Sequence, residues 1–389
     1  MKEQSIRAKT AIVGIGETAV GKLPGKTSMQ LMAEASAQAI EDAGLKKDDV
    51  DGVLVSYSLA EPSFMYCSFF SEYMGIKPHF SAAVHLGGAS MCSLVGHAAA
   101  AINAGICSTV LIARGDPQRT GFSRQGVVAM STEVGHRQFE APYAPLTAGI
   151  YAMVARRHMH EFGTTSEQLA EIAVTMRYHA SMNDNAQMRD PITIDDVLNS
   201  KLVADPLHVL DCCLVSDGGG AIVVTSAERA NDLRKPPVYI LGFGEGHSHY
   251  HIIQAESLVT SGCKDAARRA FAMSGLTPAD IDVAEIYDCF TTTVLVDLED
   301  LGFCEKGEGG RFVQGGRITF GGELPVNTHG GLLSQAHIAG MLHIVEAARQ
   351  LRGEAGRRQV HGAQTAVVTG NGGSLSAHAV LVLGTEGVL

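Results

Sequence analysis

One stretch of this chain is written twice. Ala39-Ile40-Glu41-Asp42-Ala43-Gly44-Leu45, followed by Asp48-Asp49-Val50-Asp51, returns as Ala270-Phe271-Ala272-Met273-Ser274-Gly275-Leu276, followed by Ala279-Asp280-Ile281-Asp282, an offset of 231 residues from Gly44 to Gly275. A second pair, Ala101-Ile102-Asn103-Ala104-Gly105 and Arg349-Gln350-Leu351-Arg352-Gly353, precedes a strand-like run in each copy, Val110 to Ala113 and Ala366 to Thr369. A glycine closes each helix-like stretch, as helix stops do. Two copies of one helix-then-strand grammar predict two related halves. The join is placed near Arg234-Lys235-Pro236-Pro237, where two prolines break local structure. The halves are then 1–235 and 236–389, with an inserted region at about 119–206 that carries its own helices.

Within the first half, strand-like and helix-like segments alternate. Thr10 to Gly14 reads as a strand; Ser28 is expected to cap a helix that runs through Ala33 to Ala43; Val53 to Ser56 and Thr109 to Ala113 read as further strands. Alternation of this kind predicts an α/β fold with buried, partly parallel sheets. A chain of 389 residues, 46% apolar and 18% charged, has the means for a large core shared by about two domains. The net charge of −11 argues against nucleic acid or an anionic membrane surface as partner. No run approaches 18 apolar residues, so no membrane span is expected, and the polar start Met1-Lys2-Glu3-Gln4-Ser5 lacks an apolar signal core. The eight cysteines form no CxxC pair, which points to free thiols in a reducing, cytoplasmic setting and to no metal site.

Three motifs are set aside. Gly14-Ile15-Gly16-Glu17-Thr18-Ala19 fits a loose dinucleotide pattern, but Gly21, Pro24 and Gly25 follow instead of a helix. Gly16 to Lys22 spells a phosphate-loop spacing, but Leu23 stands where Ser or Thr is needed. His247, His249 and His251 alternate as ligands on a strand would, with Glu245 the only carboxylate near; a polar loop at an active-site mouth is the simpler reading.

Three other segments belong together: Val203-Ala204-Asp205-Pro206-Leu207 through Ser216-Asp217-Gly218-Gly219-Gly220-Ala221; Glu285-Ile286-Tyr287-Asp288-Cys289-Phe290; and Asn327-Thr328-His329-Gly330-Gly331 to His337, with Gly370-Asn371-Gly372-Gly373 after it. Together they resemble the thiolase superfamily, in its sterol-carrier-type and steroid side-chain aldolase branches. The resemblance runs from Ile12 to Leu383 and implies a five-layered αβαβα fold, usually dimeric, acting on acyl-CoA thioesters. It implies no cofactor, since coenzyme A arrives as part of the substrate. A polyanionic CoA would need a local basic patch, for which Arg156-Arg157 and Arg268-Arg269 are candidates, although a solvated helix face is the simpler reading of either pair.

Thiolases attack with a cysteine at the start of a helix, 17 residues before the glycine that ends it. Counted back from Gly105, that position is Gly88; Cys92 lies one helical turn further in. The loop that carries a second catalytic cysteine in typical thiolases reads Thr369 to Gly373, without one. The resemblance places Tyr287 where sterol-carrier-type thiolases have a histidine, and His337 where the family's Gly-His-Pro histidine falls. These two, with His329 and Cys92, are the candidate catalytic residues. Gly88, Ser90, Asn327, Gly330, Gly331, Asn371, Gly372 and Gly373 are the candidate substrate and CoA contacts, the glycine pairs permitting close backbone approach to the thioester. Aldolases of the superfamily cleave a β-hydroxyacyl-CoA without a covalent acyl-enzyme, with tyrosines as acid/base; His337 departs from their second tyrosine. They work with a small partner that has a zinc ribbon and an OB-fold, and a similar partner is expected here. Three functions stay open: a cysteine-independent carbon–carbon lyase on acyl-CoA, a thiolase or acyltransferase using Cys92, and a non-catalytic acyl-CoA or lipid-binding subunit.

Overall fold

The computed structural model describes residues 6–123, 125–126, 135–143 and 146–389. Its strands are β1 (Thr10–Glu17), β2 (Gly52–Val55), β3 (Phe80–Ala83), β4 (Thr109–Pro117), β5 (Leu202–Ala204), β6 (Leu207–His208), β7 (Asp217–Ser226), β8 (Val238–His247), β9 (Val283–Glu285), β10 (Thr365–Gly372) and β11 (Ala377–Gly384). The helices that bear on the site are α1 (Ser28–Asp42), α2 (Tyr66–Met74), α3 (Ser90–Asn103), α4 (Thr147–Phe162), α5 (Ser166–Ser181), α6 (Cys263–Ser274), α7 (Thr291–Leu301) and α8 (Met341–Leu351).

Strand alternation organises the core. In β4, Val110 and Ile112 face one apolar cluster while Leu111 and Ala113 face another; in β10, Ala366 and Val368 divide from Val367 in the same way. Strands buried on both faces need helices on both faces. The inner cluster holds α3 and α8, through Leu94, Val95, Ala98, Ile344, Val345 and Ala348. On the outer faces, α1 and α2 cover β1, β2, β3, β4 and β7, and α6 covers β8 and β11 with α7 behind it. The layers are therefore helix, sheet, helix, sheet, helix.

The strand order is β3-β2-β4-β7-β1-β8-β11-β10-β9. Outward from the centre it reads β1-β7-β4-β2-β3 on one side and β8-β11-β10-β9 on the other, the same order of first, last, penultimate and second strand. The two runs are joined where Ala11 and Ile12 pair with Tyr239 and Val238. β2 is parallel to β3 and β4, and β9 is parallel to β10; the remaining pairs in this sheet are antiparallel. Where β3 stands in one run, the other has only a bridge from Val326 to Ala284, and the chain moves directly into Asn327–His337.

The Gly14-Ile15-Gly16 motif finds its explanation in packing. A Cβ at Gly14 or Gly16 would lie 2.0 or 2.1 Å from the carbonyl oxygens of Ala39 or Ala35 in α1. Gly242 and Gly244 of β8 meet Ala270 and Ala266 of α6 in the same way, at 2.1 Å each. In both runs glycine lets a helix backbone settle onto the sheet. One expected boundary moves by a residue: Thr27, not Ser28, caps α1. Its hydroxyl accepts from Gln30 N at 3.2 Å and its N–H donates to Gln30 Oε1 at 3.0 Å, a capping box that Ser28 is already too far inside to form. Between β4 and β7, α4, α5 and the β5–β6 hairpin form a clamp over the second run. Arg177 Nε donates to Ser334 Oγ at 3.0 Å, and Asn183 Nδ2 donates to the His329 carbonyl at 2.9 Å.

Candidate active site

The Ile286–Phe290 loop, between β9 and α7, is fixed before it does any chemistry. Asn327, held at φ +50°, clamps it: its Oδ1 accepts from Ile286 N at 2.6 Å and its Nδ2 donates to Ile286 O at 2.8 Å. Tyr287 N donates to Thr369 Oγ1 at 3.0 Å. Asp288 is fully buried and accepts from Leu332 N, Leu333 N and His343 Nε2 at 2.8, 3.2 and 3.1 Å. Those amides belong to a π-helical turn, Gly331–Gln335, which delivers His337. The turn is anchored at the far end by His337 N donating to Ser216 Oγ at 3.2 Å.

These restraints set the Tyr287 hydroxyl 3.1 Å from His337 Nε2. Tyr287 is 4% exposed, and burial, then Cys289 and Cys213, push its pKa well above the ordinary tyrosine value. Burial, then the charge of Arg114, hold His337 down at about 4. At neutral pH both are uncharged. In the Nδ1–H tautomer His337 Nε2 accepts the tyrosine proton, and a proton arriving at Tyr287 Oη can pass on to it.

Gly88 faces this pair. A Cβ there would lie 2.1 Å from Tyr287 Cζ and 2.3 Å from its Oη. The volume that a nucleophilic side chain would need is filled by the tyrosine. Cys92, the other candidate nucleophile, is 1% exposed in the inner helix layer, and burial raises its pKa far above that of a free thiol. The nearest acceptor, Val368 O, is 4.0 Å away. Cys92 is a core thiol whose burial disfavours the thiolate.

Several expected contacts are spent inside the protein. Ser90 Oγ accepts from Leu86 N at 2.8 Å and donates to Gly87 O at 2.7 Å, closing the turn before α3. Asn327 has both amide atoms engaged, as above. His329 is 1% exposed, edge-on to His343 at 4.6 Å, with Nδ1 2.8 Å from Glu285 Oε2 but not aligned for a hydrogen bond. Its pKa is held to about 4, chiefly by burial. His343 lies against both His329 and Tyr287, stacked on the latter at 22°. His329 therefore packs behind the Tyr287–His337 contact, through His343.

The glycine pairs also pack against the protein itself. A Cβ at Gly331 would lie 2.0 Å from Asp288 Oδ2, at Gly330 2.5 Å from Ala180 Cβ, at Gly372 1.8 Å from Leu86 O, and at Gly373 2.1 Å from Ser376 Oγ. They let the chain's own loops close on one another. Asn371 is the exception among these candidates: Nδ2 donates to Tyr151 Oη at 2.8 Å, but its buried Oδ1 has no partner among the described residues.

The support extends below. Thr328 Oγ1 lies 2.8 Å from Glu285 Oε1 and 3.0 Å from Glu346 Oε1. Burial, then the charge of Glu346, raise the pKa of Glu285. Burial opposes the charge of Glu346 too, but Arg358, at 3.1 and 3.0 Å through two nitrogens, outweighs it and holds that pKa low. Both candidate basic pairs are engaged on the surface: Arg156 with Asp205, Arg157 with Glu161, Arg268 with Asp265, and Arg269 with Glu245 O. Arg268 also lines a cleft of about 700 Å³ with His247, His249, Lys264 and Asp300. In that loop His249 Nε2 lies 3.0 Å from Ser374 O, beside the glycine loop, and His251 packs edge-on to His136 at 4.8 Å.

Sequence reasoning missed Arg114, Asp116, His343 and Glu346. Two signals were available: a charged Arg-Gly-Asp closing the apolar run of β4, and His343 with Glu346 one helical turn apart in the mainly apolar first two turns of α8.

Residues 244–385 match the family model for the thiolase C-terminal domain-like fold. The chain is 40% identical over 363 residues, 90% of this chain and 92% of its relative, to the 17-hydroxy-3-oxo-4-pregnene-20-carboxyl-CoA lyase of Mycobacterium tuberculosis. It is 39% identical to the steroid side-chain-cleaving aldolase of Thermomonospora curvata, over 97% of this chain and 98% of that one. Among solved structures, an Ltp2–ChsH2(DUF35) aldolase superposes with a TM-score of 0.89 at 38% identity, covering 98% of this chain and 99% of that one.

Proposed function

The chain belongs to the thiolase superfamily, in the branch of the steroid side-chain-cleaving aldolases, and from its site we propose a cysteine-independent carbon–carbon lyase that cleaves a β-hydroxyacyl-CoA by retro-aldol chemistry. The observation that carries this reading is the Tyr287 ring standing in the space that a side chain at residue 88 would need. A thiolase requires a covalent acyl carrier there; a retro-aldol does not, because the leaving fragment is a thioester enolate.

Tyr287 and His337 form the proton relay. The substrate's β-hydroxyl gives its proton to Tyr287 Oη as that hydroxyl passes its own to His337 Nε2, across the 3.1 Å contact. The β-carbon becomes a carbonyl, the electron pair of the Cα–Cβ bond moves into the thioester enolate, and the enolate is protonated at Cα by the proton that the relay took from the hydroxyl, which restores neutral Tyr287 and His337. Burial keeps both groups uncharged until the proton moves, so no ion is solvated in the resting site.

The first substrate to try is the one named for the Mycobacterium tuberculosis relative, whose 17-hydroxyl lies β to the thioester. A partner of the DUF35 kind, with a zinc ribbon and an OB-fold, is proposed by analogy with the ChsH2 subunit of the structural relative. Phe139, Tyr250 and Ile253, exposed together around the His136–His251 contact, offer an apolar surface for it. A homodimer is supported by the free edge of β3 beside the exposed Phe64, Met65, Phe69 and Tyr73. Eight free thiols favour a reducing, cytoplasmic setting; no described helix is long and apolar enough to cross a membrane.

The test supplies the protein, alone and with a DUF35 partner, with a β-hydroxyacyl-CoA and separately with a β-ketoacyl-CoA plus free CoA, and identifies products by mass spectrometry. Release of a ketone or aldehyde from the hydroxy substrate is the expected result. CoA-dependent cleavage of the keto substrate alone would overturn the reading.

A further inference from the structure

Arg114 is among the largest fully buried side chains of the protein, 2% exposed. It occupies the next inward position of β4 after Val110 and Ile112, so the apolar row that covers α3 and α8 ends in a guanidinium. Its backbone pairs with Gly220 of β7, and Asp116 and Pro117 pair with Gly218 and Asp217. Ser216, which anchors the His337 backbone, directly precedes that strand. The side chain of Ile338 packs over Gly218, within 3.0 Å of where a Cβ would stand. Arg114 is thus built into the wall of the site, and its charge is felt by His337, His85, Tyr66 and Tyr287.

One end of the guanidinium is fixed. Nη2 lies 2.6 Å from Asp116 Oδ2. Asp116 in turn is held by the Ser58 hydroxyl at 2.7 Å, Leu59 N at 2.8 Å, Ala60 N at 3.1 Å and Gln118 Nε2 at 3.1 Å. This is far more than an ion pair needs, and it fixes the fork in one orientation. The other side is empty: Nε and Nη1 are buried without a partner among the described residues. Arginine stays protonated in proteins, and a buried N–H donor without an acceptor is destabilising. An unpaired donor such as Nη1–H on a preorganised cation describes a site for an oxygen that carries negative charge during the reaction.

We propose that Arg114 binds substrate, its Nη1–H donating to the β-oxygen of the acyl-CoA. This rests on the lyase reading above. As the β-hydroxyl proton leaves for the Tyr287–His337 relay, the oxygen becomes alkoxide-like and Arg114 stabilises that charge. The charge then moves through the breaking Cα–Cβ bond to the thioester enolate, and the oxygen remains as the carbonyl of the released fragment. Arg114 is therefore both a catalytic residue and the reader of the β-oxygen.

The test compares binding of 3-hydroxybutyryl-CoA and butyryl-CoA, which differ only in that oxygen, by calorimetry on the wild type, Arg114→Lys and Arg114→Gln. The expected result is a wild-type preference for the hydroxy ester that falls about tenfold or more in both variants, with butyryl-CoA affinity retained. A role confined to folding would weaken both esters alike and overturn the proposal. So would an undiminished preference in a folded variant, or a wild type with no preference, which decides the matter even if neither variant folds. Kinetics add a second reading. In Arg114→Gln the lost positive charge raises the His337 pKa, so the acid limb of kcat/KM moves to higher pH. The binding ratio needs no turnover, so failure of the lyase reading and failure of this proposal are told apart.

Discussion

Tyr287→Phe is expected to lower kcat/KM for a β-hydroxyacyl-CoA by about 10²–10⁴-fold, the usual worth of a positioned acid–base group. The substitution removes one atom and keeps the ring that fills the space at Gly88. Stability falls by only about 1 kcal/mol, the net worth of one hydrogen bond, here the 3.1 Å contact to His337. The measurement is steady-state kinetics beside thermal unfolding. A variant that keeps its stability and loses its activity fits the relay. One within about threefold of wild-type activity would show that the proton leaves by another route.

Gly88→Cys restores the residue type that thiolases use, yet it is expected to give neither thiolase activity nor a sound fold. The new Cβ would stand 2.1 Å from Tyr287 Cζ. Tyr287 cannot withdraw easily, because its backbone is tied to Thr369 while Asp288 beside it is tied to Leu332, Leu333 and His343. Overpacking a rigid site costs about 1–3 kcal/mol, and displacing the hydroxyl should cost lyase activity at least as much as Tyr287→Phe. Adding Tyr287→His should recover much of the stability lost by Gly88→Cys, a non-additivity expected of residues in contact. Denaturant unfolding of the two single variants and the double variant measures the coupling. Simple additivity would mean that the two positions do not compete for space.

The fold was legible because its signals are periodic and repeated. Gly44 and Gly275 end matching helices with φ +71° and +72°, and the strands placed at Thr109 and Ala366 lie within β4 and β10. The reacting pair was legible only by likeness, since Tyr287 and His337 are fifty positions apart and no spacing rule joins them. What the sequence concealed was the use of each polar group. Asn327, Ser90, Gly331 and Gly372 stand in motifs that suggest substrate contact, yet they satisfy the protein's own backbone or its close packing. Such assignments depend on distances of a few tenths of an ångström, which residue type does not encode. Arg114 stayed hidden for the opposite reason. At the end of an apolar strand it resembles a surface charge, and only the tertiary fold shows that it is buried with two donors unpaired among the described residues.

The central claim is that this site breaks a carbon–carbon bond without a cysteine. The most direct test is product analysis of Cys92→Ala, which removes the thiol nearest to a nucleophile's position, on a β-hydroxyacyl-CoA under the conditions that support the wild type. The account predicts the same carbonyl fragment and shortened acyl-CoA at close to the wild-type rate. Loss of both products in a variant that remains folded would contradict it and return the chemistry to a thiolate.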